Sequence, residues 1–181
     1  MYNKILVPTD GSKPADKALD HAVDLIKSIS NDNNSNKNQN VRTQLTILFV
    51  IPDLPVPLGF GKPMRSLETG EMITFSDYIK EMHKAMKANA IEVLSEKKKK
   101  YESNLSNNVI IKTEVVVGNG LSISDTIIDF ANKEKIDLIV LGNVGLSGMS
   151  KVKALGSVSR AIIEKSVCPV LIVHYSSSTL K

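Results

Sequence analysis

The sequence predicts a single α/β domain, an open parallel sheet with helices on both faces. Three observations carry this prediction. Continuous apolar runs recur at 5–7, 45–51, 138–141 and 168–173, and such runs fit strands buried on both faces. Segments with helical spacing of apolar residues lie between them. The resulting order, β-α-β-α-β-α-β-α-β over 181 residues, contains no composition break that would start a second domain. Such alternation calls for right-handed crossovers. It also puts ligands at the carboxyl ends of the strands, where the strand order reverses.

Ile5, Leu6 and Val7 form the first strand. It ends in Pro8-Thr9-Asp10-Gly11-Ser12, a turn that offers Ser12 as a helix N-cap. Pro14 falls in the first helical turn, where its missing N–H costs little. Ala15, Ala18, Leu19, Ala22, Leu25, Ile26 and Ile29 then keep one apolar face. Residues 30–40 read SNDNNSNKNQN, without apolar period, and open a polar loop insertion over 30–44. After the second strand, Pro52, Pro55, Pro57 and Pro63 with Gly59, Gly61 and Gly70 mark an irregular connection over 52–70.

Helical spacing resumes from about Met72 to Tyr101, with Ile79, Met82, Met86, Ala90, Val93 and Leu94 on one side. The run Lys97-Lys98-Lys99-Lys100 closes this helix, where cations complement the dipole, and reads as a solvated terminus. Residues 109–117 read as a strand, 122–135 as a helix and 138–141 as a strand. A glycine-rich loop, a helix over 158–165 and a last strand over 168–173 follow. The domain thus spans 1–175, and 176–181 is a flexible tail.

Composition narrows the function classes. The formal net charge is only +4, aromatics are 4%, and Trp is absent, which argues against a stacking platform for single-stranded nucleic acid. Small-molecule or protein partners are favoured. Cys168 is the only cysteine, so an intramolecular disulfide and a Cys-rich zinc site are excluded. The N-terminal apolar stretch is too short for a signal-peptide core, and no run approaches the roughly 18 apolar residues of a membrane span. The expected location is the cytoplasm.

Three places can carry chemistry. The first is Gly142-Asn143-Val144-Gly145-Leu146-Ser147-Gly148-Met149-Ser150, continuing to Leu155-Gly156-Ser157. Its backbone N–H groups can form an anion nest, and the helix that follows adds its N-terminus. The same glycines also read as plain turn formers. It is not a Walker A loop, because Met149 follows Gly148 where a lysine is required. The second place is Gly118-Asn119-Gly120-Leu121-Ser122-Ile123, with Asp137 about 20 residues on, as in a dinucleotide fingerprint. Its third glycine position is Ile123, so a strand-to-helix turn is the better reading.

The third place is Asp10 at the carboxyl end of the first strand. Its carboxylate can accept hydrogen bonds from ribose hydroxyls or an exocyclic amine, or serve the turn. No catalytic constellation emerges. His21 and His83 sit in helical patterns, and His174 lacks a carboxylate partner in sequence. Cys168 reads as a small buried hydrophobe. No catalytic residue and no metal ligand set is assigned.

These motifs carry a family resemblance. The segment Ile5-Leu6-Val7-Pro8-Thr9-Asp10-Gly11-Ser12 resembles the opening strand of the universal stress protein family. Asp137-Leu138-Ile139-Val140-Leu141-Gly142, then Gly145, then Leu155-Gly156-Ser157-Val158-Ser159, resembles its nucleotide-binding segment. Cys168-Pro169-Val170-Leu171-Ile172-Val173 is similar to its closing strand. The resemblance covers the whole chain apart from the insertions. It implies a five-stranded parallel sheet in the order 3-2-1-4-5, Rossmann-like and akin to the adenine nucleotide alpha hydrolases. It implies a nucleotide site between strands one and four.

In the ATP-binding branch, adenosine contacts would fall on Pro8, Thr9 and Asp10, with Val50 near the base. Gly142, Gly145, Gly156 and Ser157 would cradle the phosphates, and Val158 and Ser159 would open the helix behind them. Leu141, just before the loop, counts with this set. One departure stands out: ten residues, 146–155, separate Gly145 from Gly156, where the family pattern has one fewer. The extra residue is either absorbed as a bulge or shifts the Gly156 and Ser157 amides.

Members commonly dimerise through the last strand, here Val170, Leu171, Ile172 and Val173. An apolar edge left bare invites aggregation, and a two-fold pair closes it. The expectation is therefore a cytoplasmic homodimer that binds ATP, or ADP or AMP, with Mg²⁺ carried on the phosphates. It would act as a nucleotide-responsive stress or regulatory protein with an unidentified protein partner. Hydrolysis is slow at most, since no general base is evident. The alternative is a dimeric interaction module of the same fold that binds no nucleotide. The longer spacer supports it, and the 52–63 connection and the long helix would carry its contacts. A dinucleotide-dependent enzyme built on Gly118 and Gly120 lacks its third glycine.

Overall fold

Lys4–Thr9 (β1) lies at the centre of a five-stranded sheet in the computed structural model, which describes residues 2–33, 42–54, 61–105, 108–118, 120–146 and 155–175. The chain continues through α1 (Lys13–Asn33), β2 (Thr43–Ile51), β3 (Met64–Arg65) and β4 (Met72–Ile73). Next come α2 (Phe75–Glu102), β5 (Val109–Val117), α3 (Ile123–Glu134), β6 (Leu138–Gly142), α4 (Ser157–Lys165) and β7 (Val170–Val173). The sheet order is β5-β2-β1-β6-β7, all parallel. Counting the five long strands alone, this is the expected 3-2-1-4-5.

Strand alternation divides the interior into two cores. Ile5, Val7, Leu45 and Ile47 point to one face and pack with Ala18, Leu19, Ala22 and Ile26 of α1 and Leu94 of α2. Leu6, Leu48, Ile139 and Leu141 point to the other and pack with Ile127 and Ala131 of α3 and Ile162 of α4. Helices therefore cover both faces, as apolar strands in the middle of a parallel sheet require.

The N-cap expected at Ser12 is formed. Its hydroxyl accepts from the Ala15 amide at 3.4 Å and its carbonyl from the Asp16 amide at 3.0 Å. α1 runs to Asn33, into the expected polar insertion, and β2 begins at Thr43 before that insertion was due to end. Residues 34–41 and the expected tail 176–181 lie outside the described residues.

The 52–70 connection holds an element that the sequence did not announce. Met64 and Arg65 pair antiparallel with Ile73 and Met72, so Met72 belongs to a hairpin and not to the helix. Thr74 starts α2 instead, by accepting from the Asp77 amide at 3.1 Å. One α2 carboxylate fastens the hairpin. Glu81 accepts from the Ser66 hydroxyl at 2.8 Å and the Leu67 amide at 2.7 Å. Pro55, Pro57 and Gly59 lie outside the described residues.

β7 starts at Val170, two residues later than expected. The Cys168 amide turns to the Ser166 hydroxyl at 3.3 Å, and Pro169 has no N–H to give the ladder. Cys168 is half-buried beside the second core, not fully buried. The lysine run also differs from a solvated terminus. Lys97 pairs with Asp16, and Lys100 reaches Asp20 at 3.4 Å and the Tyr101 hydroxyl at 2.9 Å. Asp16 and Asp20 are four apart on α1, so they face α2 as one column.

The two sheet edges differ in chemistry. On β5 the side chains of Lys112 and Glu114 are exposed. On β7 Leu171 is 40% exposed and Val167, just before the strand, 84%. Val173 is in the core at 6%, so its side chain is not available to a partner. Among the described residues no helix is long and apolar enough to cross a membrane.

Tyr101 is buried and donates its hydroxyl to Asp20. Burial, then the Asp20 carboxylate, pushes its pKa from 10.0 up to about 12. A group whose pKa is raised by folding adds stability that is complete below its unfolded pKa. That stability is lost as pH climbs through the folded value. Urea midpoints should therefore fall between pH 10.0 and about 12 in the wild type, and fall less in Tyr101→Phe. Equal slopes in the two proteins would contradict the assignment.

Candidate functional site

β1 and β6 run in register only through Ile5↔Leu138 and Leu6↔Ile139. Beyond them β6 keeps β7 as its partner out to Gly142, and β1 keeps β2 out to Thr9. The sheet thus opens at its carboxyl edge between the two strands where its winding reverses, the place where open α/β sheets bind ligands. A cavity of about 340 Å³ occupies this crevice. Its size suits a small organic ligand.

One wall is apolar and continues the second core. It comprises Leu48 and Val50 of β2, Ile123 and Ile127 of α3, Leu141 of β6 and Ile162 of α4. The floor is the end of β1, Pro8, Thr9 and Asp10. The far side is the glycine loop and the start of α4: Gly142, Gly145, Gly156, Ser157, Val158 and Ser159. Every residue expected for the nucleotide site therefore lines one cavity, whereas Val170, Leu171, Ile172 and Val173, expected for a dimer interface, do not. The sequence reading missed Leu48, Ile123, Ile127 and Ile162. Leu48 lies two positions before Val50 and Ile127 four after Ile123, so strand and helix periods pointed to them.

α4 begins on Gly156, which has no side chain to cap the helix. The carbonyl of Gly156 accepts from the Arg160 amide at 3.0 Å, so the amides of Ser157, Val158 and Ser159 precede the first helical bond. These N–H groups and the helix dipole favour an anion there. The Ser159 hydroxyl is taken, since it donates to the Gly142 carbonyl at 2.9 Å. α3 is fixed against α4 by Lys165, 2.8 Å from Asp125. The Lys165 ammonium, then the Ser122 hydroxyl, hold the Asp125 carboxyl below its ordinary value.

Two of the glycines allow close approach, Gly142 to backbone and Gly145 to a side-chain carboxylate. A Cβ on Gly142 would lie 2.9 Å from the Pro14 carbonyl of α1, and one on Gly145 would lie 2.7 Å from Asp10 Oδ2. Asp10 itself bridges the crevice. Its Oδ1 accepts from the Ser12 amide at 3.0 Å and its Oδ2 from the Leu146 amide at 3.0 Å.

The described ends of the loop between Gly145 and Gly156 lie close to each other. The Gly156 amide donates to the Asn143 carbonyl at 2.8 Å, and a Gly156 Cβ would sit 3.4 Å from Val144 Cα. The two ends are thus in contact, and residues 147–154 lie outside the described residues. Asn143, 2% exposed, is the knot. Its amide donates to the Val173 carbonyl at 3.0 Å and its side-chain oxygen accepts from the Tyr175 amide at 2.9 Å. The sequence reading assigned Asn143 no role of its own.

The second glycine segment is a structural turn. Ser122 caps α3, and the Gly120 amide donates to Asp53 at 2.8 Å. Asn119 lies outside the described residues. Asp137 sits at the opposite edge of the sheet, accepting from the Asn3 and Lys4 amides at 2.9 Å. It cannot serve a ribose in the crevice. His21 and His174 are exposed, and neither lines the cavity. Among the described residues no three His, Cys, Asp or Glu side chains gather as a metal site would require.

Comparison with known proteins agrees with this geometry. The sequence profile of the Universal stress protein family matches residues 1–174. Universal stress protein YxiE of Bacillus subtilis is 31% identical over 174 residues, covering 96% of this chain and all of that one. Among solved structures, universal stress protein UspA from Lactobacillus plantarum superposes with a TM-score of 0.71 at 24% identity, covering 95% of this chain and 97% of that one. A universal stress protein in complex with cAMP gives a TM-score of 0.58 at 22% identity, covering 97% of this chain and 98% of that one. A family protein from Arabidopsis thaliana with AMP bound gives 0.55 at 14%, covering 97% and 93%.

The knot at Asn143 makes a prediction. Asn143→Ala removes the partner of the half-buried Tyr175 amide and should cost about 1 kcal/mol in urea unfolding. Removing one residue from within 147–154 should change loop-closure entropy by only about 0.1 kcal/mol. A deletion as damaging as Asn143→Ala would show that the loop ends are not fixed independently of its length.

Proposed function

Because the chain belongs to the universal stress protein family, we propose that it binds an adenine nucleotide in the β1–β6 crevice. The supporting observation is the pairing of an apolar wall with an uncapped helix start inside one cavity. The flat base packs against Val50 and Leu48, where only dispersion and burial are on offer. The phosphate meets the amides of Ser157, Val158 and Ser159 at the N-terminus of α4. The AMP and cAMP complexes of proteins with this fold make adenine the base to test first.

ATP is the physiological ligand in this reading, with Mg²⁺ arriving on its phosphates. The amides at the start of α4, the helix dipole and the Ser157 hydroxyl would hold the phosphates, and in this reading the ligand works as a signal with slow hydrolysis at most. The protein acts as a cytoplasmic homodimer joined along β7, whose outer edge and Leu171 are exposed. The reading as an interaction module without nucleotide drew on the longer spacer. The contact between Gly156 and Asn143 weakens that ground.

Adenine nucleotide should be released when the purified protein is denatured, and calorimetry on emptied protein should give heat with ATP-Mg²⁺ and with AMP. No heat from either at about 1 mM would sink the proposal. Ser157→Pro sharpens the test. Proline suits the first helical position, and Gly156 already holds φ −62° and ψ 159°, which proline tolerates in the residue before it. The variant should keep its melting temperature and lose at least about tenfold in AMP affinity, because the Ser157 amide and hydroxyl are both gone, while Ser157→Ala, which keeps the amide, should lose less. Unchanged affinity would move the phosphate away from α4.

A further inference from the structure

Asn143 stands just past the end of β6, opposite His174, which stands just past the end of β7. In a parallel ladder, a residue so placed donates its amide to the carbonyl before its partner. At its own carbonyl it accepts the amide after that partner. Asn143 keeps the first bond, its amide donating to the Val173 carbonyl at 3.0 Å. The second bond is exchanged. The Tyr175 amide donates to the Asn143 side-chain oxygen at 2.9 Å, and the main-chain carbonyl of Asn143 accepts from the Gly156 amide at 2.8 Å instead. One buried residue thus serves two neighbours, the chain after β7 with its side chain and the start of α4 with its backbone.

We propose that Asn143 is a positioning residue for the phosphate end of the site. Its side-chain amide imitates a strand carbonyl, and this releases the main-chain carbonyl to place the start of α4. The inference rests on the adenine-nucleotide reading for its ligand, while the exchange of partners belongs to the empty protein. Gly156 has no side chain to cap α4, so the bond to its amide helps fix where the amides of Ser157, Val158 and Ser159 stand. With the asparagine side chain gone, the Tyr175 amide turns to its ordinary ladder partner, the main-chain carbonyl of residue 143. It stays beside that carbonyl because the Lys17 ammonium of α1 holds the neighbouring His174 carbonyl at 2.9 Å. A carbonyl drawn toward β7 turns away from the Gly156 amide, and the start of α4 loosens. Phosphate contacts are lost, and packing of the base on Leu48 and Val50 is spared.

The test compares wild type, Asn143→Ala and the double variant that adds Tyr175→Pro. Proline at 175 has no amide, so it removes the rival for the carbonyl and leaves the Gly156 bond unopposed. Hydrogen exchange at the Gly156 amide is read in ligand-free protein, and AMP and adenosine are titrated calorimetrically. Asn143→Ala should speed Gly156 exchange by at least about tenfold. It should weaken AMP by about tenfold and adenosine by less than about threefold. The double variant should return to within about threefold of wild type in both AMP affinity and Gly156 exchange, whereas two merely structural losses would add. Unchanged Gly156 exchange in Asn143→Ala overturns the proposal, as do equal losses for AMP and adenosine. A double variant that folds or binds AMP no better than Asn143→Ala also overturns it. If wild type binds neither compound, the adenine-nucleotide reading falls, and Gly156 exchange in the two variants alone decides the role of Asn143.

Discussion

Two strands that part company organise this molecule. β1 and β6 share a ladder only at Ile5 and Leu6, and their carboxyl ends then follow different neighbours. A parallel sheet wound outward from its middle leaves an unfilled wedge at that point, because the helices on its two sides leave in opposite directions. The cavity, its apolar wall and its polar end are all consequences of that wedge. What remains is to keep the two lips at a fixed separation. The Asp10 carboxylate does this above the sheet, and the first turn of α1 does it from one side, resting on Gly142 so closely that no side chain fits.

The glycines of the loop are therefore best understood one by one. Gly142 yields space to α1, and Gly145 yields space to a carboxylate. Gly156 leaves a helix start uncapped. None of the three has the positive φ usually invoked for a glycine-rich loop, whereas Gly11 at φ +81° does and sits in the turn after β1. The same spacing of glycines can thus encode close packing and an open helix end at once.

Much of this was legible in the residues. Apolar runs of three to seven residues, separated by helical periods, give the alternation of strands and helices, while the order of strands in the sheet followed from the family resemblance. The turn from Pro8 to Ser12 and the loop from Gly142 to Ser157 stand at strand ends, so topology alone brings them together. Less was visible where partners are distant in sequence. Asn143 is one polar residue among several in its loop, and only the arrival of Tyr175 and Gly156 gives it work. Lys97 and Lys100 look like a charged helix end until Asp16 and Asp20, some 80 positions earlier, face them. The hairpin at 64–73 has strands of two residues, too short for a period, and depends on Glu81 of α2.

The two edges of the sheet carry different side chains, and this bears on the proposed homodimer. β5 displays Lys112 and Glu114, charges that discourage a further strand from docking, beside an exposed Ile110. β7 offers an apolar residue and an open row of backbone groups. A sheet with two permissive ends can add copies without limit and grow into a fibre. In the proposed homodimer, pairing along β7 would use that edge on both copies at once and leave neither free to extend the sheet on that side.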